Sequence, residues 1–279
     1  MDEIKYDLHC HSTASDGALP PTEVVLRAKE HGVTTLALTD HDTVAGLENA
    51  KKTADELALN LIPGIELSCS WSKKTFHIIG LNIDPNNAEL LEGIHGIQTT
   101  RIERAKKIAH KLEKNKIPGA FDAVQQAAGS GMITRTHFAD FLLKNNYVNS
   151  MQGAFDHYLG QSKSAFVSTQ WAELDDAIHW ITNSGGIAVV AHPMRYKLTA
   201  SWMRRFLTAF KEAGGQGMEV VTGRSNPDEI RRAIHFARQF ELHGSVGSDF
   251  HTPKNKWVEL GRLAPLPPSI HPVWRLFPS

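Results

Sequence analysis

The sequence is poor in several things, and each shortage closes off a class of protein. It has only two cysteines, Cys10 and Cys69. That is too few for a disulfide framework and predicts a reducing, cytoplasmic setting. No apolar run approaches the ~18 residues of a spanning helix, which argues against a membrane protein. The first residues, Met-Asp-Glu-Ile-Lys-Tyr, lack the apolar stretch of a secretion signal. Net charge is also missing: 30 basic side chains face 30 acidic ones. The chain as a whole therefore carries no field that would hold duplex DNA or a membrane surface, and any preference for anions must be local. No glycine-rich phosphate loop and no G-x-S-x-G elbow occurs, so the usual signatures of nucleoside triphosphatases and serine hydrolases are absent. One residue type is abundant instead: there are fifteen histidines in 279 residues.

Short apolar runs alternate with amphipathic ones at both ends of the chain. Strands are predicted at 6–9, 34–39, 60–67, 76–81, 187–191, 217–221 and 243–247. Helices are predicted at 21–31, with Thr22 as N-cap, and at 44–59, 172–183, 202–213 and 227–239. Fully apolar strands alternating with helices indicate a parallel α/β sheet or barrel. The middle differs. Residues 97–116 read as one strongly basic helix, taken as a solvated face, and 121–161 as helical pieces without a strand. Residues 99–166 are accordingly expected to form a helical insertion capping the active site of a barrel made of 1–98 and 167–279. The proline-rich end is expected to be an irregular strap over the surface.

Chemistry gathers where these strands end. His9 and His11 follow the first strand, Asp40, His41 and Asp42 the second, and Glu66 the third. His77 lies within the fourth, His192 follows the fifth, and Asp249 and His251 follow the last. The C-terminal rim of a parallel barrel is where active sites assemble. Residues two apart on a strand share a face, so His9 and His11 can reach one ion while Cys10 between them points into packing. Burying so many ionisable groups together is costly unless cations offset them. Nitrogen and oxygen donors without thiolate suit Mn²⁺, Fe²⁺ or Zn²⁺.

These residues also carry a resemblance. Asp7-Leu8-His9-Cys10-His11-Ser12 with Ser15-Asp16-Gly17, Thr39-Asp40-His41-Asp42, Pro63-Gly64-Ile65-Glu66 with His77, Ala191-His192-Pro193, and Gly247-Ser248-Asp249-Phe250-His251 resemble, in order, the motifs of the PHP (polymerase and histidinol phosphatase) family. The resemblance implies a distorted (β/α)7 barrel and a site for three divalent ions, with Mn²⁺ the expected metal. It implies that His9, His11, Glu66 and Asp249 hold one ion, Glu66, His77 and His192 a second, and Asp16, His41 and His251 a third. Asp40 and Asp42 are then expected to orient ligand histidines. Glu66, Asp249 and His192 are the expected catalytic centre.

Such a site implies hydrolysis of a phosphoester by in-line attack of a metal-bridging hydroxide. Arg195, just after His192, and Arg135, in the insertion, are the expected phosphate contacts, because a guanidinium grips phosphate through paired N–H groups. His137 is expected merely to pack the insertion. Together these features resemble the branch of the family that acts on 3′,5′-nucleoside bisphosphates and on the 5′ ends of short RNA as 5′→3′ exoribonucleases. The alternatives are a histidinol-phosphate phosphatase with the same metals, and a metal-stabilised binding module without turnover.

Overall fold

The structure is a computed structural model that describes residues 5–278. Eight strands form its sheet: β1 (Tyr6–Asp7), β2 (Thr35–Leu38), β3 (Asn60–Trp71), β4 (Lys74–Leu81), β5 (Ala172–Glu173), β6 (Ile187–Val190), β7 (Gly217–Thr222) and β8 (His243–Gly247). Seven follow the path β1-β2-β3-β4-β6-β7-β8, and β5 pairs with the far end of β3. The path nearly closes into a barrel. Leu8 donates its N–H to Val246 O at 2.9 Å, and Cys10 bridges Phe250 in parallel.

Most of the pairing is parallel, as the alternation of elements predicts. β4 is the exception, antiparallel to both β3 and β6. Only Ser72 and Lys73 join it to β3, both with positive φ (49° and 63°). A two-residue loop of that kind can return the chain only as a hairpin. The inversion places His77. It lies near the start of β4, which is the end of the strand at the barrel's C-terminal rim.

Five helices cover the barrel: α1 (Pro21–Glu30), α2 (Leu47–Glu56), and, after the middle segment, those spanning Leu174–Asn183, Ala200–Glu212 and Pro227–Gln239. The first begins with Pro21 and has no side-chain cap, so Thr22 is not its N-cap. A proline at that position needs none of the missing N–H bonds and already has helical φ. α2 is shorter than the periodicity suggests, because residues 42–46 turn at the rim before it starts.

The middle segment holds α3 (Ala88–Lys114), α4 (Ala120–Ala128), α5 (Arg135–Lys144) and α6 (Met151–Ala154). α6 runs into a π-helical turn, Phe155–Leu159. Numbered on from these, the barrel helices of the second half are α7, α8 and α9. α3 is 27 residues long and passes unbroken through residue 99, where the insertion was expected to begin. Its first half packs on α7, with Gly93 against Trp180, while Ala105, Ile108 and Leu112 enter a separate apolar cluster with Val124, Phe138 and Leu142. The helix signal thus starts earlier than its basic stretch.

Below the rim the barrel is filled. Ile79 and Leu81 share a face with His77, and they pack with Ile187, Val189 and Ala191. The C-terminal segment is more than a surface strap. Val273 is wholly buried in this same cluster, and Trp274 stacks on Tyr6 with ring centroids 4.0 Å apart. Among the described residues no helix is long and apolar enough to cross a membrane.

Candidate active site

The structure brings the nine expected ligand residues to one place on the rim. Nε2 of His9 and Nε2 of His11 are 3.1 Å apart. Each is 3.4 or 3.5 Å from Glu66 Oε2 and from Asp249 Oδ1. Donors ~2.0–2.2 Å from a shared ion in tetrahedral array lie about 3.3–3.6 Å from one another, so this spacing suits a transition-metal ion. The other oxygen, Glu66 Oε1, is 3.0 Å from His77 Nδ1 and 3.0 Å from His192 Nε2. Asp16 Oδ1 is 3.3 Å from His251 Nε2 and 3.9 Å from His41 Nε2. His41 also reaches the middle of the cluster, with Nδ1 2.8 Å from Glu66 Oε2.

Three of these atoms are left wanting. Asp16 Oδ1, His41 Nδ1 and Glu66 Oε2 are buried without a hydrogen-bond partner, and the close His41–Glu66 pair lacks hydrogen-bond alignment. Buried polar atoms are normally satisfied, so lone pairs that converge without protons between them point to cations. The donor set fits divalent metal.

Electrostatics tell the same story. Burial resists charge on Glu66, Asp16 and Asp249, yet the surrounding imidazoles outweigh it and hold all three carboxyls well below their usual range. Burial, with His251 and His41 beside it, pushes His11 down to about 3, and burial pushes His77 down to about 4. Both rings are therefore neutral, as ligands must be. Burial opposes protonating His251, but Asp16 and Asp249 raise it to about 10. Burial likewise opposes charge on His9, and Glu219, Glu66 and Asp249 outweigh it. In the metal-free protein these two rings carry protons where ions would otherwise supply the positive charge.

The backbone is shaped to the same end. Asp42, His192 and Asp249 all have positive φ (51°, 31° and 55°). Side-chain-bearing residues rarely adopt that region, and such strain clusters at functional sites. β7 carries a register shift between Glu219 and Val221. Bulges beside active sites re-aim side chains. Here Glu219 Oε1 accepts from His9 Nδ1 at 3.0 Å and Oε2 accepts from the His192 backbone N–H at 2.5 Å. The carboxylate fixes one histidine's ring and another's backbone. A lone glutamate inside the apolar run Gly-Met-Glu-Val-Val was the signal for it, since a buried carboxylate needs partners.

Neither Asp40 nor Asp42 touches a ligand histidine directly, though Asp40 holds Ser15 Oγ, which lies 3.5 Å from His11 Nδ1. Asp40 accepts from Ser12 N and Oγ and from Ser15 Oγ, and so shapes the turn that carries His11 and Asp16. Asp42 accepts from Ser68 N at 2.6 Å and from Arg101 Nε at 2.5 Å. Their short side chains are consumed by nearby backbone and by a helix the sequence did not place beside them. Cys10 is fully buried and donates to Ala37 O, consistent with packing. His137 closes a capping box on α5. Thr134 and Thr136, which the sequence reading passed over, both donate to Asp16 Oδ2, at 2.9 and 2.8 Å, and so tie the middle segment to the ligand cluster.

A cavity of about 400 Å³ opens on the cluster beside Asp16, His41 and His77. Three arginines line it: Arg101, Arg104 and Arg135. The first two correct the reading of α3 as a solvated face. Arg101 is only 5% exposed, and both guanidiniums lie over the Trp171 ring, 5.1 and 5.3 Å from its centroid. They share the helix face of Ile97, Ala105 and Ile108. Arg135 lies over Phe155, 5.9 Å from its centroid. Burial, with Arg135 and Arg101 adding to it, lowers Arg104 to about 9, and its Nε has no partner. Burial and Arg101 also lower Arg135. Arg195 stands on the other side of His192, with Nη1 on Asp249 Oδ2 at 2.6 Å.

Comparison with known proteins agrees with this geometry. The PHP domain model matches residues 7–186. A 5′-3′ exoribonuclease of Haemophilus influenzae is 45% identical over 273 residues, 98% of this chain and 99% of that protein. A 3′,5′-nucleoside bisphosphate phosphatase of Chromobacterium violaceum is 42% identical over 270 residues, covering 96% of this chain and 95% of the relative. Among solved structures, an amidohydrolase from Chromobacterium violaceum with bound sulfate and no metal superposes with a TM-score of 0.93 at 42% identity, covering 98% of this chain and 95% of that one.

Proposed function

Because the chain belongs to the PHP domain family, we propose that it is a metal-dependent phosphoesterase that cleaves the ester 3′ to a 5′-phosphorylated nucleoside, in 3′,5′-nucleoside bisphosphates and at the 5′ ends of short RNA. The observation that carries the substrate is the cavity of about 400 Å³ beside the ligand cluster, where three arginines meet with one carboxylate partner, Asp42, between them. Like charges gathered out of water need an anion, and a phosphate monoester bears up to two negative charges. The volume falls in the range of small-ligand sites, and Trp171, Phe155 and Tyr196 give it aromatic walls.

The expected division of ligands is retained as part of this proposal. His9, His11, Glu66 and Asp249 hold one ion, Glu66, His77 and His192 a second, and Asp16, His41 and His251 a third, with Mn²⁺ the expected metal. When bound, such ions activate water and neutralise charge on a phosphoryl oxygen. The chain's own residues do the positioning. Arg104 and Arg135 hold the 5′-phosphate, while Arg101 is fixed by Asp42 and Ser68 and walls the cavity. Arg195 keeps N–H groups beyond its bond to Asp249 for an oxygen of the scissile phosphoryl group. Glu66, with an oxygen toward each side, keeps the donor groups together, and Asp249 and His192 complete the reacting centre. Water attacks phosphorus in line, the bond to the 3′ oxygen breaks, and that oxygen takes up a proton. Residues 99–166 cap the site, with Thr134 and Thr136 as the link to Asp16. The buried free thiols of Cys10 and Cys69 support a reducing, cytoplasmic setting.

The test is release of product by Mn²⁺-loaded protein from adenosine 3′,5′-bisphosphate, a 5′-phosphorylated oligoribonucleotide and histidinol phosphate. Adenosine 5′-monophosphate from the first and nucleoside 5′-monophosphates from the second are the expected products. Turnover of histidinol phosphate alone overturns the substrate assignment, and no turnover of any of the three overturns the enzyme.

A further inference from the structure

A second cavity, of about 220 Å³, also meets the ligand cluster, and the proposed hydrolysis of a nucleoside bisphosphate draws only on its His192 and Arg195 walls. His192 forms one wall, and Met194, Arg195, Arg224, Ser225 and Glu229 form others. The single turn Pro193–Tyr196 divides it from the larger cavity: Tyr196 faces the first space, while Pro193, Met194 and Arg195 face the second. A polynucleotide whose terminal nucleotide fills the larger cavity brings its 3′ ester to the ligand cluster. The second cavity is then where its continuation can go.

The charged groups there are not equally free. Glu219 is engaged by His9 and by the His192 backbone. Glu229 accepts the Asn226 N–H in the capping box of α9. Arg195 donates to Asp249. Arg224 is exposed and, among the described residues, has neither a hydrogen bond nor an ion pair. Arg224 is therefore the one guanidinium of this lining that is free to meet an anion.

A second observation continues the path. The backbone beside Arg224 is pressed against the end of β8 and touches the loop that follows His251: a Cβ on Gly223 would sit 2.3 Å from Ser248 O and, on that loop, 3.1 Å from Val258 Cγ1. On that loop Trp257 is 82% exposed, and Lys254 and Lys256 beside it are exposed too. No other large hydrophobic side chain of the described residues exceeds 44%. The loop is nevertheless well anchored. Val258 is buried, Asn255 Oδ1 accepts the Trp257 N–H, and Arg262 donates to Lys256 O at 2.6 Å. A fixed loop that presents an indole between cations has the makings of a platform for a nucleic-acid base.

We propose that the second cavity and the Trp257 loop form a track for single-stranded RNA 3′ of the scissile phosphate, with Arg224 meeting the next phosphate and Trp257 stacking a base. This rests on the proposed function, and it names the feature that favours an RNA end over a lone bisphosphate. The experiment compares Arg224→Ala and Trp257→Ala with the wild type on adenosine 3′,5′-bisphosphate and on a 5′-phosphorylated hexaribonucleotide. Both side chains are exposed, so the variants should fold, which circular dichroism checks. Activity on the bisphosphate should stay within about twofold, while KM for the hexamer rises about 10-fold, in line with the loss of one stacked base or one phosphate contact. Equal losses on both substrates, or an unchanged KM for the hexamer, overturn the track. If the wild type cleaves neither substrate, the proposed function fails, and the track is judged on binding alone. Fluorescence anisotropy of a labelled hexamer in EDTA must then show both variants about 10-fold weaker, and affinities equal to wild type overturn it.

Discussion

Glu219→Gln tests how the first group of ligands is held. Glu219 is 1% exposed and accepts two hydrogen bonds, from His9 Nδ1 at 3.0 Å and from the His192 N–H at 2.5 Å. Glutamine has nearly the same shape but only one accepting oxygen; its other end donates. If that oxygen keeps the His192 N–H, the amide N–H group confronts His9 Nδ1. His9 must then move its proton to Nε2, the atom 3.1 Å from His11 Nε2, and it loses the lone pair a metal needs. If the oxygen keeps His9, a buried backbone N–H at His192 faces a donor, at a cost of ~1–3 kcal/mol. Either way one group of ligands is disturbed. Loss of a partner that orients a ligand histidine typically weakens metal binding 10–100-fold. We expect the variant to fold, with a lowered melting temperature, to bind its tightest Mn²⁺ about 10–100-fold more weakly by calorimetric titration, and to recover activity in part at high Mn²⁺. Nitrogen NMR shifts of the imidazoles report the tautomer directly. Metal affinity and His9 tautomer both unchanged would refute the reasoning.

Asp249→Asn should preserve the fold but lose most activity and part of the bound metal, because a neutral amide is a poor ligand for a divalent ion; wild-type turnover would remove Asp249 from the first group. Arg135→Ala and Arg104→Ala should each cost ~2–4 kcal/mol in kcat/KM on substrates with a 5′-phosphate, and an equal loss on substrates lacking that phosphate would contradict the anion assignment. The metal-free protein should become less stable as pH rises from about 7 toward 10. His251 is raised from its ordinary 6.5 to about 10, burial opposing and Asp16 outweighing it, so its contribution is complete below the unfolded value and lost through the folded one. Mn²⁺ affinity should rise over the same window as the ion displaces the proton, and paired calorimetry in EDTA and in Mn²⁺ checks both signs. Cys10→Ala should leave kcat unchanged, since the thiol donates only to Ala37 O, and a kinetic defect at full metal loading would place it in the chemistry.

The strand ends were readable because a parallel barrel puts every rim residue directly after an apolar run, as with His41 after β2 and Asp249 after β8. What escaped notice depended on direction or on partners far along the chain. β4 read as a strand, but its reversal hung on Ser72 and Lys73, which are not the residues that usually mark such turns. Arg101 and Arg104 counted as surface charge until their phase was set against Ile97 and Ile108 on the same helix. Glu219 sits within β7 rather than at its end, so a search of strand ends passes over it. The bonds from Thr134 and Thr136 to Asp16 span 118 and 120 residues, and no local pattern announces them.

The unbroken α3 also bears on how genes for such proteins can change in length. The rod is about 40 Å long and runs without a joint from its packing on α7 into the separate apolar cluster of the middle segment. Deleting a single codon between Ala88 and Arg101 would turn everything beyond it by ~100° and draw it back 1.5 Å. Arg101 and Arg104 would then face away from Trp171, and the helices beyond α3 would be turned against the barrel. Adding or removing residues in the loop at 145–150 does neither. Length variation among descendants of this chain should therefore collect in the loops of the middle segment and spare the rod, where the reading frame of the helix is inherited as strictly as that of the gene.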